Sequence, residues 1–103
     1  MSEALHLVTE GLRTAVGGDC GLGKVIKFDF GEEGVVVIDA TVSPNVVHNE
    51  AATADCTLKQ SIEDFAAMTE GQLDATTAYM SGRLKIEGDM SLAMRLDEVL
   101  KRP

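Results

Sequence analysis

Basic side chains are scarce in this sequence: nine Lys and Arg stand against 17 Asp and Glu, for a formal net charge of −8 and a pI near 4.5. The nine are scattered rather than gathered into a stripe, so the surface field repels phosphate backbones and anionic membranes. That argues against nucleic acid as a partner and limits membrane contact to the transient; an apolar or neutral ligand, or a basic protein, fits the field. Glycine and proline, at ten and two residues, are not in excess. With 45% hydrophobic and 25% charged residues, the composition is that of a packed domain and not of a disordered tail. No apolar run reaches the ~20 residues of a membrane span. The 103 residues leave room for one core, so a single domain over 1–103 is expected.

The residue types of reactive sites are as sparse. Cysteine is limited to Cys20 and Cys56, without metal-ligand spacing, and histidine to His6 and His48, each remote in sequence from another ligand. Both thiols read as free, Cys56 as a small buried hydrophobe within a strand. There is no nucleophile elbow or comparable catalytic signature. The acidic pairs Glu32-Glu33, Glu63-Asp64 and Asp97-Glu98 fall in a turn and on polar helix faces, where carboxylates are ordinarily solvated. No catalytic residue, metal ligand or cofactor is therefore expected, nor enzymatic activity. The opening MSEALHLVTEGLR carries acidic residues where a secretory signal has basic ones, and Lys101-Arg102-Pro103 is not a peroxisomal address. A cytoplasmic protein is expected.

One stretch does match a nucleotide-binding motif. Gly18-Asp19-Cys20-Gly21-Leu22-Gly23-Lys24 fits the first seven positions of a P-loop, but Val25 stands where a Ser or Thr hydroxyl would hold magnesium. A P-loop also needs a strand before it and a helix after it. Here Leu5, Val8, Leu12 and Val16 predict a helix over residues 2–16 before the motif, and alternation from Lys24 to Phe30 predicts a strand after it. The glycines therefore read as a helix end and a turn into a sheet.

In that strand Ile26, Phe28 and Phe30 share one face and Val25, Lys27 and Asp29 the other. Gly31 to Gly34 reads as a tight turn to a β-branched strand over 35–42, completing a hairpin. Ser43-Pro44-Asn45 turns the chain again. Short strands over 46–51 and 54–60 follow, Cys56 and Leu58 sharing a face, and simple adjacency predicts antiparallel neighbours. Ser61-Ile62-Glu63-Asp64 has the form of a capping box and opens a helix to Gly71. Residues 76–80 lead into a strand over 83–87, and Asp89 caps a last helix. Helices gathered on one face of a mainly antiparallel sheet make an α+β domain. Four of the five methionines, Met68, Met80, Met90 and Met94, lie in the second half of the chain. Met90 and Met94 are one helical turn apart, and such pliable side chains suit either core filling or a wall that adapts to its ligand.

Three stretches carry a resemblance to a known family. They are Ala54-Asp55-Cys56-Thr57, then Asp64-Phe65 to Met68-Thr69-Glu70-Gly71, and above all Gly82-Arg83-Leu84-Lys85-Ile86-Glu87-Gly88-Asp89-Met90-Ser91-Leu92-Ala93-Met94-Arg95-Leu96. Together they resemble the sterol carrier protein 2 family of lipid-binding domains. The resemblance implies a five-stranded sheet covered on one side by helices, enclosing a hydrophobic tunnel for sterols, fatty acids, acyl-CoA or phospholipids. It implies non-catalytic binding and transfer, or an accessory role holding a lipid or isoprenoid intermediate for a partner enzyme. By position it assigns Phe65, Met68, Tyr79, Met80, Leu84, Ile86, Met90, Leu92, Met94 and Leu96 to the elements that line or close the tunnel. Arg83 and Lys85 read as exposed residues within reach of a lipid head group. The acidic charge and the missing peroxisomal ending depart from the eukaryotic carriers.

A tunnel in so small a domain has an energetic consequence. A ligand cavity of at least ~300 Å³, left empty at about 24 cal/mol per Å³, costs roughly 7 kcal/mol. That approaches the whole stability of a typical domain, ~5–15 kcal/mol. The tunnel must be filled, or the last helix must fall inward when it is not.

Overall fold

A computed structural model describes residues 3–16, 23–42, 45–50 and 52–100, the side chains of residues 15, 16 and 96–100 excepted. The elements expected from the sequence, a helix, strands, a helix, a strand and a helix, are all present, with one helix more. The chain runs α1 (Glu3–Val16), β1 (Val25–Asp29), a 3₁₀ turn (Gly31–Glu33), β2 (Val35–Asp39), β3 (Val46–His48), β4 (Cys56–Lys59), α2 (Ile62–Thr69), α3 (Ala75–Met80), β5 (Lys85–Gly88) and α4 (Met90–Leu100).

The strands form one sheet in the order β3-β2-β1-β4-β5. Three of its pairings are antiparallel, but β4 lies parallel to β1. The expectation that successive strands would all be antiparallel neighbours fails there. After β3 the chain crosses to the far side of β1, which makes β1 a central strand and buries both its apolar neighbours. The register then builds two continuous apolar rows: Val47, Ile38, Ile26, Cys56 and Gly88, and beside it Val36, Phe28, Leu58 and Ile86.

These rows meet Leu5 and Leu12 of α1, Phe65 of α2, Ala78 of α3, Leu84, and Leu92 and Ala93 of α4 in one core cluster. Cys56 is a buried free thiol, and its burial pushes the thiol's pKa up, with the charge of Asp89 adding to the effect. Val37 points to the opposite face yet is also fully buried, set between Lys27 and His48 in the register. Among the described residues no helix is long and apolar enough to cross a membrane.

Two strands end earlier than their sequence pattern. At the end of β2, an Asp39 carboxylate oxygen accepts from the Thr41 backbone N–H (3.0 Å) and from its hydroxyl, turning the chain. After β3, the Asn49 amide turns inward and donates to Thr9 Oγ1 (2.9 Å) and to the Val35 carbonyl (3.0 Å). Thr9 is buried on α1 and itself donates to the Leu5 carbonyl at 2.7 Å. The Arg13 guanidinium donates to the Val47 carbonyl at 2.9 Å and so ties α1 to the edge strand.

Residues 76–80, read as a lead-in to a strand, are part of α3. Asp74 caps it by accepting from the Thr77 N–H at 3.3 Å, and Ala78 is fully buried. The expected caps elsewhere are formed: Ser61 Oγ accepts from the Asp64 N–H at 3.0 Å, and Asp89 Oδ1 accepts from Ser91 and Leu92. The Gly17-Gly18 helix end, the motif through Leu22 with Cys20, the Ser43-Pro44 turn and the Lys101-Arg102-Pro103 ending lie outside the described residues.

Candidate functional site

The space between the sheet and its helices is where an apolar ligand would go, and ten residues were expected to line it. Three of them are core. Phe65, projecting from the capped start of α2, meets Phe28 and Phe30 edge-to-face, with ring centroids 5.2 and 5.7 Å away at 77° and 71°. Phe28 and Phe30 stack on each other at 6.0 Å. Leu84 is turned inward because the Arg83 and Leu84 N–H groups both donate to the Ala78 carbonyl, at 2.9 and 3.1 Å, doubling the chain back beneath α3. Leu92 is buried in the first turn of α4. Met68 and Ile86 are half-buried and pack against this core.

Four others stand at the surface: Tyr79 is 45% exposed, Met80 80%, Met90 46% and Met94 71%. All belong to α3 and α4, whose other faces contribute Ala78, Leu92 and Ala93 to the core. The side chain of Leu96 lies outside the described residues. The nine whose side chains are described thus run from buried core to exposed rim. Met94 would meet an apolar ligand only if α4 shifted or the ligand came to its outer side.

Other candidates stay apart. His6 is exposed on α1, while His48 is half-buried and accepts a hydrogen bond from the Glu50 N–H at Nδ1, 3.1 Å. Glu32 and Glu33 are exposed in the 3₁₀ turn. No group of three or more His, Cys, Asp or Glu side chains is placed to hold a metal ion among the described residues. Two exposed carboxyls are held below the ordinary carboxylate value. At Asp39 the Thr41 hydroxyl bond is the main cause, and at Asp89 it is the Ser91 hydroxyl bond, followed by the Leu92 N–H. Asp39 thereby holds a turn and Asp89 caps α4.

A feature that sequence reasoning did not assemble lies at one end of the sheet. There the ends of β1 and β4 and the approach to β5 surround an open cleft of about 430 Å³, between Asp29, Lys59 and Gln60 and the segment from Gly82 to Lys85. Gln60 was read only as the end of a strand, and no period or motif singles it out.

Comparison with known proteins accounts for the fold. The family model described as the SCP-2 sterol transfer family matches residues 13–101. Sterol carrier protein 2 of Homo sapiens is 35% identical over 74 residues, a match covering 71% of this chain and 14% of that protein. The chain therefore corresponds to a small part of that relative. Among solved structures, Sterol Carrier Protein 2 Like 2 from Aedes aegypti superposes with a TM-score of 0.73 at 21% identity, covering 93% of this chain and 95% of the other. A UbiJ-SCP2 ubiquinone synthesis protein superposes with a TM-score of 0.70 at 22% identity, covering 98% and 93%. These structures share the fold: a five-stranded mixed sheet with helices.

Proposed function

The chain belongs to the SCP-2 sterol transfer family, and on that premise we propose that it binds and transfers lipids, without catalysis, in an apolar space between its sheet and helices. The ten residues from Phe65 to Leu96 are its lining and rim in this reading, and the protein is a cytoplasmic carrier. The observation that carries it is the exposure of Tyr79, Met80, Met90 and Met94 on the two helices that also close the core. Thioethers left in water lose nothing when a lipid chain covers them, and their unbranched stems adapt to its shape.

An acyl chain entering beneath α4 would replace water against these side chains. At about 0.8 kcal/mol per methylene, a dozen methylenes offer roughly 10 kcal/mol before ordering costs. That suffices to hold open a space whose emptiness would cost roughly 7 kcal/mol at ~300 Å³. In this reading the site closes when vacant and opens around its lipid.

Native mass spectrometry of the freshly purified protein, followed by organic extraction, tests the proposal. A bound lipid of defined mass is expected, or uptake of added fatty acid or sterol by apo protein. Failure to take up any of these in a displacement titration would overturn it.

A second reading has the same fold hold a lipid or isoprenoid intermediate for a partner enzyme. It is supported by the likeness to a UbiJ-SCP2 ubiquinone synthesis protein over 98% of the chain's length. Its sign would be a stable enzyme partner in a pull-down, with lipid passing from one to the other.

A further inference from the structure

The cleft at the end of the sheet concentrates charge that the rest of the surface lacks. Lys59, Arg83 and Lys85 line it, three of the nine basic residues of a chain whose net charge is −8. Asp29 is the one carboxylate among its lining residues, and it accepts a hydrogen bond from the Gly31 N–H at 2.9 Å. Lys59 pairs with Glu87 at 3.3 Å. Neither Arg83 nor Lys85 joins an ion pair among the described residues.

The register sharpens the point. Lys59 and Lys85 are direct partners on the antiparallel strands β4 and β5. Like charges directly opposite each other on a sheet repel. Asp29, across from Lys59 on the other side, offsets one of the two. Glu87 also pairs with Lys59, so the cations left to be balanced by an added anion are Arg83 and Lys85.

A separate observation concerns a residue that lines the same cleft. Gln60 is only 8% exposed, and its side-chain oxygen is buried with no hydrogen-bond partner. An orphan acceptor is costly to bury and calls for a donor such as a hydroxyl. Its backbone is held in place, since the Gln60 N–H donates to the Asp29 carbonyl at 3.2 Å. Phe30 lines the cleft while also belonging to the aromatic core with Phe28 and Phe65. The cleft therefore adjoins apolar interior on one side and water on the other.

We infer that this cleft is an oxyanion site, taking a phosphate or carboxylate between Lys59, Arg83 and Lys85 with a neighbouring hydroxyl donating to Gln60. Carried on a lipid, that group would be the head of an amphiphile whose tail passes Phe30 into the interior. This form rests on the lipid-binding reading above. Carried on a small soluble molecule, it would occupy the cleft alone.

The experiment uses the full chain and three probes: a lysophosphatidic acid, the monoacylglycerol of the same chain length, and glycerol 3-phosphate. Displacement of a fluorescent fatty acid reads the two lipids, and NMR shifts of the Gln60 side-chain amide read all three. The charged lipid should bind about tenfold tighter than the neutral one, since it alone adds charge-assisted hydrogen bonds. Added salt should shrink this preference. In the double variant Arg83→Gln, Lys85→Gln the preference should fall to near unity; both side chains are exposed, so the fold should persist. Gln60 signals should move with the charged lipid.

Equal affinity for the two lipids in the unaltered protein would overturn the inference while leaving lipid binding intact. If neither lipid bound but glycerol 3-phosphate moved the Gln60 signals, the oxyanion site would stand as one for soluble ligands and the lipid reading would fall. No response to any probe would remove both.

Discussion

Gly88 and Asp55 approach so closely that a Cβ on Gly88 would lie 2.3 Å from the Asp55 carbonyl oxygen. Gly88 ends β5 with φ of +96°, opposite Cys56 in the register. Asp55 gathers the surrounding chain: its N–H donates to the Val25 carbonyl, its carboxylate accepts from the Val25 N–H, and its carbonyl accepts from the Asp89 N–H. Where β1, β4, β5 and α4 meet, the backbone thus leaves no room for a side chain at position 88.

Gly88→Ala should accordingly cost about 3 kcal/mol or more, combining a disfavoured φ with a backbone collision that no rotamer relieves. Gly31→Ala is the control. Its φ is also positive, +66°, but an added Cβ meets nothing within 4 Å. It should cost only about 1 kcal/mol. Urea denaturation of both variants measures the difference, and equal losses would mean that the close approach is not a constraint.

Asp89 links pH to the start of α4. Its folded pKa lies below the ordinary value of 3.8 because the ionised carboxylate accepts from the Ser91 hydroxyl, the Leu92 N–H and Lys24. The unfolded chain therefore binds the proton more readily. This contribution to stability is fully present above 3.8 and is lost as pH falls through the depressed folded value. Acid unfolding followed by circular dichroism should become less steep in that range for Asp89→Asn, which cannot ionise. An unaltered acid limb would assign the pH dependence to other carboxylates.

Met94→Glu should fold normally, since Met94 is 71% exposed, and should bind lipid at least tenfold more weakly. A carboxylate covered by an acyl chain loses its water without gaining a partner. The same reading makes α4 the element that moves: its amides should exchange faster in the apo protein than in the lipid-bound one. Unchanged affinity in the variant would remove Met94 from the site. Equal protection with and without lipid would remove α4 as the lid.

Phe65→Ala should cost ~3–5 kcal/mol even without lipid, because Phe65 closes the aromatic cluster with Phe28 and Phe30. A thermal or denaturant melt decides between this and a ring that serves only the ligand. In the latter case apo stability would barely change and only affinity would fall.

Local pattern made much of this legible. The alternation of Ile26, Phe28 and Phe30, the caps at Ser61 and Asp89, and the amphipathic stripe of α1 depend on neighbours a few residues apart, and all were readable without coordinates. The motif from Gly82 to Leu96 pointed to the family. The candidate rim on α4 was legible as Met90 and Met94, but the same spacing fits core or surface equally well, so their exposure was not. Residues 76–80 lacked a sustained helical stripe, and the Asp74 cap was the available signal for α3.

What the sequence by itself determined is the kind of element at each place, because backbone period, caps and turn residues act over one or two turns of chain. It also determined an acidic domain without a legible catalytic signature and with the marks of one lipid-binding family. Only the tertiary structure decided that β4 lies parallel to β1, that Thr9 and Asn49 join α1 to the sheet, and that Lys59, Gln60, Arg83 and Lys85 share one cleft. Each of these brings together residues 20 or more positions apart. Such contacts are selected by the burial of the whole core, against the entropy of closing the chain between them, and no local pattern encodes that balance.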